Sequence, residues 1–269
     1  MIVTLNDERG TKLANKRYYE LLLEGMKDSD LTVKRIVHGI SWTAAELSNG
    51  NAGVAMHTEG ESRHRQMDDL TGLNIQTAAE SVLSWNMEEA NEGMAVINAF
   101  YNTTENRAAH ETDSGQRLRD KGALAGLELT DKKVVFVGHL VGHSGITEEL
   151  LQPCREWHVL EREPKEGDYP DSACEFLIPD SDLVVITGSA SMNKTMPRLL
   201  ELARKATVVL AGPSVPMCPN LFSLGVDRLY GSIIEDKEGC FRGIVEKKGS
   251  VNPYSTRFCV DQEDLWQAI

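Results

Sequence analysis

Hydroxyl, amide and glycine groups gather after two apolar runs in the last third of the chain. Residues 182–188 lead into Ser189, Ser191 and Asn193, and residues 207–210 lead into Gly212, Pro213 and Ser214. Polar side chains at a strand-to-helix junction, beside the unsatisfied N–H groups of a helix start, suit an anion such as a carboxylate or phosphate. The plainer alternative is that Ser191 or Asn193 caps the helix, which still leaves two polar side chains in the loop. Residues 212–216 form a stiff turn, because two prolines fix φ and a glycine allows close approach; such a turn makes a good ligand wall.

A second glycine cluster lies at Gly138, Gly142 and Gly145, with His139 and His143 between them. Its G-x-x-x-G-x-x-G spacing only loosely follows the dinucleotide fingerprint, and Glu161 or Glu163 stands where the ribose-binding acid would follow. His139 and His143 are four apart, but the glycine between them favours a loop over a helical metal face, and the Glu of a zincin motif is missing. His57, His139 and His143 are the candidate metal ligands, since neutral imidazole is the commonest side-chain ligand. Glu46 and His57 lie on neighbouring strands of a hairpin. They supply an acid and base or metal ligands if that hairpin faces a crevice, and a solvated sheet face otherwise. No G-x-S-x-G elbow and no P-loop occurs.

The elements that must position these groups follow from periodicity. Residues 11–26 carry Leu13, Tyr18, Leu21, Leu22 and Met26 at helical spacing. Residues 31–40, 42–47 and 52–57 read as strands, the last two joined across Asn49 and Gly50, a hairpin signal because both residues tolerate positive φ. Two helices follow between residues 72 and 100, split near residues 84–86. The polar stretch 102–120 marks a boundary, giving an α+β unit over residues 1–110 and a second unit over 111–269. In the second unit strands at 133–139, 157–161, 182–187, 207–210 and 228–234 alternate with helices at 146–154, 172–177, 196–205 and 237–247. That alternation predicts a doubly wound, mainly parallel, Rossmann-like sheet, whose ligands sit outside the carboxyl ends of the strands.

A formal charge of −13, from 41 acidic and 28 basic residues, argues against nucleic acid or an anionic membrane as partner. No apolar run approaches the roughly 20 residues of a membrane span, and residues 1–8 lack a signal pattern, so a cytoplasmic location is expected. The five cysteines, Cys154, Cys174, Cys218, Cys240 and Cys259, form no CxxC pair and read as reduced thiols. A symmetric homodimer is the default expectation.

Residues 84–99, from Ser84-Trp85-Asn86 through Asn98-Ala99, resemble the family of putative heavy-metal chelation domains. So do residues 184–193 and 211–216, with the Trp42-Thr43 hairpin and the Gly225-Val226 turn in support. The resemblance implies an enolase N-terminal-like domain followed by a Rossmann-like domain. It also implies an interdomain cleft that binds a heavy metal or a metal-chelating organic cofactor. The site residues it implies are Ser189, Asn193, Gly212, Pro213 and Ser214 from the second domain and Glu46 and His57 from the first. With no dense Cys and His cluster, an organic ligand or its metal complex is favoured over chelation by side chains alone. The alternative is an enzyme using NAD or S-adenosylmethionine, cradled by Gly138 and Gly142; whether any reaction is catalysed stays open.

Overall fold

A computed structural model describes residues 16–58 and 63–262. The first helix, α1 (Lys16–Glu24), begins at the first described residue, so the part of the expected helix over residues 11–15, Leu13 included, lies outside the described residues. Three strands follow, β1 (Val33–His38), β2 (Trp42–Leu47) and β3 (Ala52–Met56), as an antiparallel meander in the order β1-β2-β3. The predicted Asn49-Gly50 turn closes it: Gly50 takes φ +91°, and Asn49 Oδ1 accepts the Asn51 N–H at 3.1 Å. Next come α2 (Ile75–Ala79), continued as a 3-10 turn over Glu80–Leu83, and α3 (Met87–Tyr101), capped by Asn86.

Helix α3 is buried along almost its whole length because the small sheet lies on it. A Cβ on Gly53 of β3 would stand 2.1 Å from the Ala99 nitrogen, so only glycine lets strand and helix come this close. The polar stretch 102–120, expected only as a boundary, is helical. Thr103 and Thr112 cap α4 (Thr104–His110) and α5 (Asp113–Arg119), each hydroxyl accepting the N–H three residues on.

The second part is a seven-stranded sheet built from β4 (Lys133–Val137), β5 (Glu156–Glu161), β6 (Tyr169–Pro170), β7 (Leu183–Thr187), β8 (Thr207–Ala211), β9 (Arg228–Ile234) and β10 (Ser255–Asp261). Between them lie α6 (Glu148–Leu151), α7 (Cys174–Leu177), α8 (Met196–Leu202) and α9 (Lys237–Val245). The order β10-β9-β8-β7-β4-β5-β6 reverses direction between β4 and β7, the arrangement of doubly wound sheets. All pairs are parallel except β9–β10. The central strands β4, β7 and β8 are apolar on both sides, as a covered parallel sheet requires. Val135, Val184 and Leu210 face one core; Phe136, Val185 and Val209 face the other. The edge strand β10 lies beyond the last predicted element, and the helix expected over 146–154 is a single turn, α6.

The two parts share a core. One apolar cluster runs from Leu22, Ala45 and Met94 to Ile186, Leu210 and Val215. The other face of the small sheet is covered by α9, with Trp42, Ala44 and Val54 against Phe241 and Ile244. Asn102, which ends α3, is buried between them. Its Nδ2 donates to the carbonyls of Val215 (2.9 Å) and Ser232 (3.1 Å), and its Oδ1 accepts the Met217 N–H at 2.9 Å. Replacing Asn102 by Ala strands three buried backbone groups, each costing about 1–3 kcal/mol. Chemical denaturation of Asn102→Ala is therefore expected to read a loss on the order of 3 kcal/mol or more.

Candidate functional site

The carboxyl ends of β4, β5, β7 and β8 open into a cleft of about 850 Å³, roofed by residues 40–42 and 56–58 of the small sheet. It lies at the point where the strand order reverses, where doubly wound sheets hold ligands. Gly138, His139, His143, Ser189, Asn193, Gly212, Pro213 and Ser214 line it, as does His57 from the roof.

Each of these side chains has a defined setting. Thr187 and Ser189 hydroxyls meet at 3.1 Å. Asn193 Oδ1 accepts the Thr195 N–H at 3.1 Å and its hydroxyl at 2.6 Å. Neither Ser191 nor Asn193 caps α8, which starts without a side-chain cap after Thr195. Ser191 instead turns away: its hydroxyl meets Tyr18 Oη, and its carbonyl accepts from Tyr19 Oη, both at 2.7 Å. The loops after β7 and β8 touch, since a Cβ on Gly188 would stand 2.5 Å from the Ser214 carbonyl carbon. The Ser214 hydroxyl accepts the Met56 N–H at 2.9 Å, tying this wall to the roof.

Against this geometry stand the comparisons with known proteins. A family profile described as putative heavy-metal chelation, DUF364, matches residues 124–258, and another of the same description, DUF4213, matches residues 19–101. The chain belongs to the DUF364 family. A crystal structure of a DUF364 protein of unknown function from Desulfitobacterium hafniense is 31% identical, with TM-score 0.79 over 93% of this chain and 99% of that one. Another DUF364 protein of unknown function, from Pyrococcus horikoshii, shares the fold at 21% identity, with TM-score 0.71 over 93% of this chain and 100% of that one. An uncharacterized protein of Methanocaldococcus jannaschii is 28% identical over 200 residues, 70% of this chain and 73% of that one.

The family description suggests a metal, so the donor set matters. Among the described residues no group of three or more His, Cys, Asp or Glu side chains is placed to hold a metal ion. His57, His139 and His143 all line the cleft, but they do not form such a group. His57 Nε2 meets the Thr43 hydroxyl at 2.8 Å and its Nδ1 the Ile40 carbonyl at 2.9 Å. His139 Nδ1 lies 3.8 Å from Asp168. Cys174 also lines the cleft, but burial, reinforced by the charge of Asp171, pushes its thiol up to about 12 and keeps it from being a thiolate. The described side chains do not fit a directly chelated heavy metal.

Two further expectations change. Gly142 takes φ +86° in an open turn and does not line the cleft. The junction it belongs to is no phosphate cradle: α6 is a single turn with Glu148 and Glu149 in its first turn, and Glu161 accepts the His139 N–H at 2.8 Å. Glu46 points the other way from the cleft. On β2, Trp42, Ala44 and Glu46 share the face covered by α9, and Lys34, Arg35 and Lys237 all reach the Glu46 carboxylate, at 2.9, 2.7 and 2.6 Å.

Sequence reasoning also missed Arg257, which lines the cleft from β10. Its Nη1 donates to Ser232 Oγ (2.8 Å) and its Nη2 to Asn252 Oδ1 (3.0 Å), and its guanidinium stands 5.9 Å from the Tyr230 ring centroid. It makes no ion pair with a carboxylate among the described residues, whereas Arg198 in the same cleft is held by Glu175 and Glu201. The available signal was an arginine in the alternating run Thr256-Arg257-Phe258-Cys259, which reads as a strand once its partner is known.

Burial alone would push the Glu46 carboxyl up, but hydrogen bonds from Lys237, Lys34 and Arg35 outweigh it and hold it at about 2, below its ordinary 4.5. The stabilisation is therefore full above about 4.5 and lost as pH falls through about 2. Glu46→Gln is expected to flatten the fall in denaturant stability across that window. At neutral pH it should cost on the order of 2–3 kcal/mol, below the usual cost of breaking a buried pair because the three cations are partly solvated.

Proposed function

We propose that this DUF364 protein binds a small anionic organic molecule, of a kind that itself coordinates metal, in the cleft at the carboxyl edge of its parallel sheet. The observation that carries this reading is the contrast between the cleft's donors. Among the described residues, hydroxyls, the Asn193 amide and an arginine without a carboxylate partner line the cleft, while no group of three or more His, Cys, Asp or Glu side chains is placed to hold a metal. A guanidinium held flat by Ser232 and Asn252 is prepared for a planar, two-point contact with a carboxylate or phosphate. Ser189 and the amide of Asn193, in the same lining, would read further oxygens. A metal bound in this way is carried by its ligand and reaches the protein as a complex.

A direct test is native mass spectrometry of the freshly isolated protein with elemental analysis of the same sample. The expected result is an organic mass on the chain, with any metal lost together with it; a stoichiometric metal on the otherwise bare chain would overturn the reading. Arg257→Ala should weaken the isolated anion about 10- to 100-fold in calorimetry, the equivalent of one charge-assisted hydrogen bond of about 1.5–3 kcal/mol. Ser189→Ala combined with Asn193→Ala should lower affinity as well, and unchanged affinity in both variants would remove the assigned walls.

A further inference from the structure

A run of polar side chains crosses the small sheet from α3 to the cleft. Arg65 Nη2 donates to both oxygens of the Glu92 carboxylate, each at 2.8 Å. Glu92, buried on α3, lies 3.0 Å from His38 Nε2. The Thr43 hydroxyl lies 3.4 Å from His38 Nδ1 and 2.8 Å from His57 Nε2. His57 Nδ1 meets the Ile40 carbonyl at 2.9 Å. Sheet register assembles the run, because His38 of β1 is the cross-strand partner of Thr43 on β2, and His57 directly follows β3. Thr43 is fully buried, His38 is 46% exposed at one end, and His57 lines the cleft at the other.

The run can be counted in protons. Its two ends accept: the Ile40 carbonyl at one, and at the other the Glu92 carboxylate, both of whose oxygens already take hydrogen bonds from Arg65. Four contacts lie between those ends, and each needs one proton. Two neutral imidazoles and one hydroxyl supply three. One ring must therefore carry a second proton.

We propose that Glu92, His38, Thr43 and His57 form a proton relay that holds one mobile proton and makes His57 the acid–base group of the cleft. The use of that proton rests on the ligand reading above; the proton count does not. When the charge sits on His38, its Nδ1–H points to Thr43 Oγ1 and the hydroxyl proton points to His57 Nε2. Transfer passes the hydroxyl proton to His57 as His38 Nδ1 gives its own to the hydroxyl oxygen, so one proton moves and no atom is gained. His38 keeps its Nε2–H toward Glu92, and His57 becomes the imidazolium. Glu88, 3.8 Å from Arg65 Nη1, adds a charge at the inner end, and His139, Glu161, Arg162 and Lys165 line the same cleft as His57.

The test is nitrogen-15 NMR of histidine-labelled, ligand-free protein at neutral pH, which distinguishes imidazolium from each neutral tautomer. The expected result is one imidazolium shared between His38 and His57, with both rings showing averaged signals. Thr43→Val should pin the charge on His38 and leave His57 as a neutral Nδ1–H tautomer, while Thr43→Ser should restore averaging. Two neutral rings in the wild type, or signals unchanged in Thr43→Val, would overturn the relay. Neither outcome depends on whether the cleft binds an anion.

Discussion

One buried amide holds the architecture together. Asn102 ends α3, the helix that organises the small sheet, and spends its whole side chain on backbone groups of residues 215, 217 and 232 in the other half of the chain. A buried amide with three satisfied contacts is demanding about geometry, because a displaced partner leaves a desolvated dipole behind. Asn106 repeats the contact one turn later, its Nδ2 donating to the Met217 carbonyl at 2.8 Å. The loop after β8 is fixed by these bonds, and that loop is one wall of the cleft.

The cleft is thus formed by joining two sheets through an intermediate helix and loop. The parallel sheet supplies the floor through the carboxyl ends of its strands, and the meander supplies the roof through residues 40–42 and 56–58. Ion pairing and apolar packing work together on the meander's far side, where Glu46 gathers Lys34, Arg35 and Lys237 and draws α9 onto the strands. An acidic residue that looked like chemistry is a bolt between parts, and His57, just past the end of the neighbouring strand, faces the space where chemistry can occur.

Much of this arrangement was legible. The alternation of apolar strands with helices gave the parallel sheet, the Asn49-Gly50 turn gave the hairpin, and the polar residues after β7 and β8 gave two lining segments of the cleft. The direction of Glu46 was not legible, because β2 reads Trp-Thr-Ala-Ala-Glu-Leu with small residues on both faces and is buried on both. What distinguishes its faces is α9, about 190 residues away in sequence, and no local pattern encodes that contact. Strand β10 escaped for a related reason: an antiparallel edge strand carrying Thr256, Arg257 and Asp261 lacks the continuous apolar signature of its neighbours. The composition of residues 102–120 marks a boundary, yet their Thr and Asn side chains are helix caps and clamps.

The clasp between the halves also governs how the chain acquires its form during synthesis. Residues 16–101 contain a helix, a meander and two further helices, but one face of that meander is closed by α9 and Val251, and the Asn102 side chain at the end of α3 is satisfied by residues 215–232. A nascent chain emerging from the ribosome must therefore carry an unfinished first half, with Trp42, Val54 and the end of α3 uncovered, until residues 215–251 have been made. The order of translation and the order of completion are opposed in this fold, and a helix made late finishes a sheet made early.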